Sequence, residues 1–135
     1  MSRSILIVED SEDDALFLQR ALKKTCLLNP IHIVTNVADA QAYFDNLSNS
    51  DQTPGIVFLD LKLPGMDGYE FLAKLRANPE LSGLMIFVLS GHQNLAAVRK
   101  AYQLGANSFL SKPVSPFDLE NLIHGFPRHW ERMPS

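Results

Sequence analysis

With 135 residues, 46% of them hydrophobic and 20% charged, the chain holds enough core-forming material for one ordinary globular domain. A formal net charge of -3 and a pI near 5.7 offer no electrostatic footprint for nucleic acid, and no basic run marks an anionic membrane surface. A single cysteine, Cys26, excludes an internal disulfide framework, and Met1-Ser2-Arg3-Ser4 leaves no room for a signal peptide, so a cytoplasmic protein with no membrane span is expected.

Apolar runs and helical periodicity then alternate along the chain. Strand one is expected over residues 4–9 and helix one over 13–25, with Ala15, Leu18 and Leu22 on one face. Asn29-Pro30 breaks that helix, and Ile31-His32-Ile33-Val34 makes a short strand two. Asn36 followed by Asp39 reads as a capping box, after which Val37, Ala40, Phe44 and Leu47 line one helical face. Residues 48–55 are polar and read as a loop, and Ile56-Val57-Phe58-Leu59 is a buried strand three that ends on Asp60. Helix three is expected over 68–77, stopped by Asn78-Pro79, and strand four over 85–89. Helix four carries Leu95, Val98 and Tyr102 as a stripe, read as core first and partner surface second, and closes at Leu104-Gly105. Strand five follows over 108–110. Ser115-Pro116-Phe117-Asp118 then starts helix five, which buries Leu119, Leu122 and Ile123.

Five βα units in succession predict an α/β fold, a doubly wound five-stranded parallel sheet with helices on both faces and right-handed crossovers. No internal repeat or linker appears, so residues 1–135 are expected to form one domain, with a core over 4–125, a tail over 126–135 and no output domain. The tail holds two prolines and a tryptophan and is expected to pack back or to contact a partner.

Three acids end the central strands. Ile5-Leu6-Ile7-Val8 runs into Glu9-Asp10, and strand three runs into Asp60, at the sheet edge where open α/β folds bind ligands. Such a cluster repels itself, so it needs a cation or has its pKa values pushed apart. Strand four ends in Ser90-Gly91, which offers a hydroxyl, and strand five in Ser111-Lys112-Pro113, which offers an ammonium. Hard oxygen ligands of this kind suit Mg²⁺, and a carboxylate nucleophile can form an aspartyl phosphate. Nucleophile, metal site and charge clamp for in-line phosphoryl transfer are thus all present.

With Asp60 followed by Leu63-Pro64-Gly65-Met66-Asp67-Gly68, and with Phe109 before Lys112-Pro113, the chain resembles the receiver domain of two-component response regulators over most of its length. The resemblance implies the flavodoxin-like strand order 2-1-3-4-5. It implies that Asp60 accepts a phosphoryl group from a sensor histidine kinase. Asp10, Asp60 and the backbone carbonyl of Lys62 would hold Mg²⁺, with Glu9 acting through water. Lys112 and Ser90 would bind the phosphoryl oxygens, and Phe109 would turn inward as Ser90 is drawn toward the phosphate. Lys62 and His92 would border the phosphoryl group. Phe109 lacks the hydroxyl of the tyrosine in many relatives, so its inward state would rest on burial alone.

A cis peptide at Lys112-Pro113 is a further implication. The Asn29-Pro30 loop, Ala101-Tyr102 and the tail tryptophan are similar to small stand-alone regulators paired with bacterial phytochromes, which makes a phytochrome a candidate kinase. The expected output is protein contact through helix four, strand five and helix five, with a downstream protein or a second copy of the chain. Neither direct nucleic-acid binding nor turnover of an external substrate is expected.

Several plainer readings compete. Asp13 and Asp14 read as acids that complement the dipole of helix one, Asp67 as a turn residue between Gly65 and Gly68, and Cys26 as a small hydrophobe. Phe109 is core in either reading. His32, His92, His124 and His129 show no paired metal spacing and read as structural or exposed. An alternative function is a metal-dependent small-molecule phosphotransferase or phosphatase with an aspartate nucleophile. That chemistry needs a second acid two residues after Asp60, where Lys62 stands, and a cap domain. A phosphate-independent adaptor is disfavoured because no member of the phosphorylation set is missing. A flavin site fails because Glu9-Asp10 would repel phosphate.

Overall fold

The parallel sheet order is β2-β1-β3-β4-β5 in the computed structural model, which describes residues 3–25, 27–47, 53–62, 68–91 and 95–125. Its strands are β1 (Ile5–Val8), β2 (Ile31–Val34), β3 (Ile56–Asp60), β4 (Met85–Ser90) and β5 (Ser108–Ser111). The helices are α1 (Glu12–Lys24), α2 (Val37–Asp45), α3 (Gly68–Ala77), α4 (Leu95–Gln103) and α5 (Pro116–Gly125), and Pro79–Leu81 forms a 3-10 turn. The expected order and helix positions hold, while β4 and β5 each run one residue further than the apolar pattern suggested. Cys26, the 63–67 loop with Asp67, His92, His129 and the 126–135 tail lie outside the described residues.

Every residue of β1 and β3 is buried, as expected of central parallel strands covered on both faces. Alternation along each strand divides the core in two. Leu6, Val8, Val57, Leu59, Ile86 and Val88 pack with Val37, Ala40, Phe71 and Leu72 on one side. Ile5, Ile7, Ile56, Phe58, Phe87 and Leu89 pack with Leu18, Leu22, Leu119 and Leu122 on the other. The register places Val8 beside Leu59, Leu59 beside Val88 and Val88 beside Phe109. All carboxyl ends therefore open on one edge.

Local capping explains where the helices begin. Helix α1 starts one residue before the expected position because the Ser11 hydroxyl accepts the Asp14 N–H at 3.2 Å. Asn36 accepts the Asp39 N–H at 2.7 Å, and Ser115 accepts that of Asp118 at 3.0 Å, so both sequence caps are realised. The α4 stripe is different. Leu95 is 65% and Tyr102 47% exposed, and the side that meets the core is carried by Ala101, with Leu104 packed behind it. The core face thus lies one position round from the stripe, on the side of Ala101.

Two glycines are required by geometry. Gly105 adopts φ +107°, and Arg76 donates from Nε to its carbonyl at 2.8 Å and from Nη2 to Asn107 Oδ1 at 2.5 Å. This ties the α4–β5 turn to α3. At Gly68, a Cβ would stand 2.7 Å from the Leu61 Cα and 2.8 Å from its carbonyl oxygen. Backbone, not a flexible side chain, would have to move. Gly68→Ala is therefore expected to destabilise the fold by roughly 1–3 kcal/mol in chemical denaturation. An alanine variant of unchanged stability would show that this approach is not close in solution.

Candidate functional site

The strand ends deliver the site. Glu9 follows β1 and is 1% exposed, Asp60 closes β3 at 3%, and Asp10 faces solvent. Carboxylate oxygens of all three lie within 4.8 Å of one another. Ser11 N–H donates to Glu9 Oε2 at 3.1 Å, and Lys62 N–H donates to Asp60 Oδ1 at 3.0 Å, so the backbone aims both buried acids. The Leu61 N–H to Leu89 carbonyl bond of 3.2 Å anchors the end of β3 on β4.

Lys112 enters from the end of β5, where its N–H donates to the Ser90 carbonyl at 2.9 Å. Its ammonium lies 2.9 Å from Asp60 Oδ2, contacts Glu9 Oε1, and lies 3.2 Å from Asp14 Oδ2. The Lys112-Pro113 bond is cis. Ser90 is buried at the end of β4, opposite Ser111 in register. Phe109 stands beside Val88, half-buried and packed against the α3 side of the core. An aromatic on the last strand of the sheet keeps one side toward solvent.

Burial pushes the Glu9 carboxyl up to about 7, and its hydrogen bonding with Asp60 adds to the rise against the opposing pull of Lys112. Burial works against the charge on Lys112, but the carboxylates of Glu9 and Asp60 outweigh it and its pKa is raised.

The sequence reading missed Asp14. It was assigned to the helix dipole, yet its carboxylate meets Lys112 across 98 positions of chain. The signal available was its place in the first turn of a helix whose N-terminus opens on the crevice. His32 and His124 are exposed, in agreement with their plainer reading, and the Lys62 residue is exposed as well.

The cluster fits a hard divalent cation. Glu9 Oε1 is buried and accepts no well-directed hydrogen bond despite its ion pair with Lys112, so an acceptor is left with capacity beside Asp10 and Asp60.

Residues 5–124 match the response regulator receiver domain model. The chain belongs to that family. Receiver domains are signalling proteins of two-component systems that bind Mg²⁺ at an acidic pocket, and the Glu9–Asp10–Asp60 cluster is compatible with that. Response regulator Rcp1 of Synechocystis sp. is 31% identical over 128 residues, covering 93% of this chain and 87% of that protein. Among solved structures, the bacteriophytochrome response regulator RtBRR superposes with a TM-score of 0.86 at 29% identity, covering 100% of this chain and 84% of that one. The phosphorylated cyanobacterial phytochrome response regulator RcpA gives 0.76 at 27% identity, with 100% of both chains covered. Among the described residues no helix is long and apolar enough to cross a membrane.

Proposed function

We propose that this receiver domain accepts a phosphoryl group on Asp60 from a histidine kinase, with Mg²⁺ required, and signals by protein contact. The observation that supports this reading best is the Lys112 ammonium 2.9 Å from the buried Asp60 carboxylate, beside two further acids. An Asp60 oxygen attacks the phosphorus of a phosphohistidine. The new O–P bond forms as the P–N bond breaks, and the histidine nitrogen keeps the electron pair and then takes a proton. Asp10, Asp60 and the Lys62 carbonyl would hold Mg²⁺, with Glu9 acting through water. When bound, the ion supplies positive charge that offsets the carboxylates and the charge on the phosphoryl oxygens. Lys112 and the Ser90 hydroxyl bind those oxygens and orient them. The domain catalyses its own phosphorylation and dephosphorylation and turns over no external substrate.

Incubation with acetyl phosphate tests the reading: intact-mass analysis should show one added phosphoryl group with Mg²⁺ and none in EDTA. Labelling that ignores EDTA would overturn it.

A phytochrome is the kinase type favoured by the names of RtBRR and RcpA, in the cytoplasm. The working unit is one receiver domain over residues 4–125. Output passes through Ser90 and Phe109 to the face built by α4, β5 and α5, where Leu95, Tyr102 and Phe117 stand exposed for a partner or a second copy. Ser90 shifts toward the phosphoryl group and Phe109 turns into the space released. The two states differ by only a few kcal/mol, so one covalent change can select between them. Hydrogen exchange is expected to change across residues 95–123 on phosphorylation. Changes that stay within the Asp60 surroundings would disprove the route.

A further inference from the structure

We propose that Asp14 is a positioning residue that holds the Lys112 ammonium in the unphosphorylated protein and gives up its place to the incoming phosphoryl oxygen. This rests on the phosphoacceptor reading of Asp60. Lys112 has three carboxylate partners, Glu9, Asp60 and Asp14, and an ammonium has three N–H bonds. Two of them point to Asp60 and Asp14, and Glu9 crowds the ammonium as an ion-pair partner, so three carboxylates surround it before a phosphoryl group arrives. To clamp one of its oxygens, Lys112 must release a partner.

The three partners are unequal. Glu9 and Asp60 side chains are 1% and 4% exposed, and leaving either unpaired strands a charge in the interior. Asp14 is 50% exposed and sits at the longest distance, 3.2 Å, so water solvates it readily once released. Asp14 also shares one small cleft with Glu9, Phe17, Lys112 and Pro113, which places its negative charge beside the ammonium that an anionic donor must reach. It both occupies the clamp and repels the donor. Its own backbone N–H is capped by Ser11, a bond that side-chain substitution leaves in place.

The test is the rate of phosphorylation by acetyl phosphate under Mg²⁺ at low donor concentration. Asp14→Asn and Asp14→Ala are expected to raise the second-order rate constant by about two- to fivefold, the range a partly exposed ion pair supports. Asp14→Glu, which keeps the charge, should restore the wild-type rate. The gain should appear in the half-saturating donor concentration rather than the limiting rate, and should shrink as salt is added. A packing role would give neither signature. Asp60 labelling at an unchanged or lower rate in both neutral variants would overturn the role of Asp14 and leave the phosphoacceptor reading standing. Absence of label from the wild-type protein, or label retained by Asp60→Asn, would overturn that reading and this inference with it.

Discussion

Asp60→Asn is expected to abolish phosphorylation by acetyl phosphate while Glu9, Asp10 and Asp14 stay in place. The amide oxygen carries no full negative charge, and its lone pair is delocalised toward nitrogen, so it is a poor nucleophile toward phosphorus. The remaining acids do not substitute. Glu9 is buried with its pKa pushed up to about 7 and one oxygen held by the Ser11 N–H. Asp10 and Asp14 are exposed, whereas Asp60 is buried with the Lys112 ammonium 2.9 Å from its Oδ2. Placement, not acidity alone, selects the acceptor. An asparagine still accepts the Lys62 N–H at Oδ1, so the variant should fold as the wild type does. Intact-mass analysis in Mg²⁺ is the measurement, and label on the variant at the wild-type rate would remove Asp60 from its assigned role.

Lys112→Met should produce the largest stability change at the site. Without the ammonium, the buried Glu9 and Asp60 carboxylates lose their shared counter-charge, and removing one member of a buried ion group costs ~2 kcal/mol or more. The loss should depend on pH. The folded-state pKa of Glu9, about 7, lies above its ordinary value of 4.5. Between those values the folded chain binds the proton more tightly than the unfolded one. The resulting stability is full below about 4.5 and is lost as pH rises through about 7. Below that range Glu9 is neutral and needs Lys112 least. The gap between wild type and variant should therefore widen from pH ~5.5 to pH ~8, in EDTA. Mg²⁺ should then stabilise the variant more than the wild type, because an ammonium and a divalent cation compete for the same oxygens. Chemical denaturation under these conditions is the check. A variant as stable as wild type at both pH values would mean that Lys112 does not hold the acids together.

Alternation of apolar strands with helical periodicity determined the fold class, because each strand and helix carries its own period and its own cap. Ser115 with Asp118 and Asn36 with Asp39 are local signals, and both form as written. The site was legible for a related reason. Parallel strands in register put their carboxyl ends on one edge, so Glu9, Asp60, Ser90 and Lys112 could be read from strand ends alone. Family membership followed from that set and from the match over residues 5–124.

What the chain could not declare locally depends on distances between elements. The exposure of Leu95 and Tyr102 was settled by which side of α4 faces the core, the side that carries Ala101. The need for Gly68 arises from the Leu61 backbone below it. Glu9 acquired its raised pKa from burial, a property of the assembled layers rather than of its neighbours in sequence. Asp14 looked like any acid in a first helical turn until the fold brought Lys112 to it. Periodicity and capping act within a few residues, so sequence carries them openly. Desolvation and charge pairing act through space, and only the packed structure decides them.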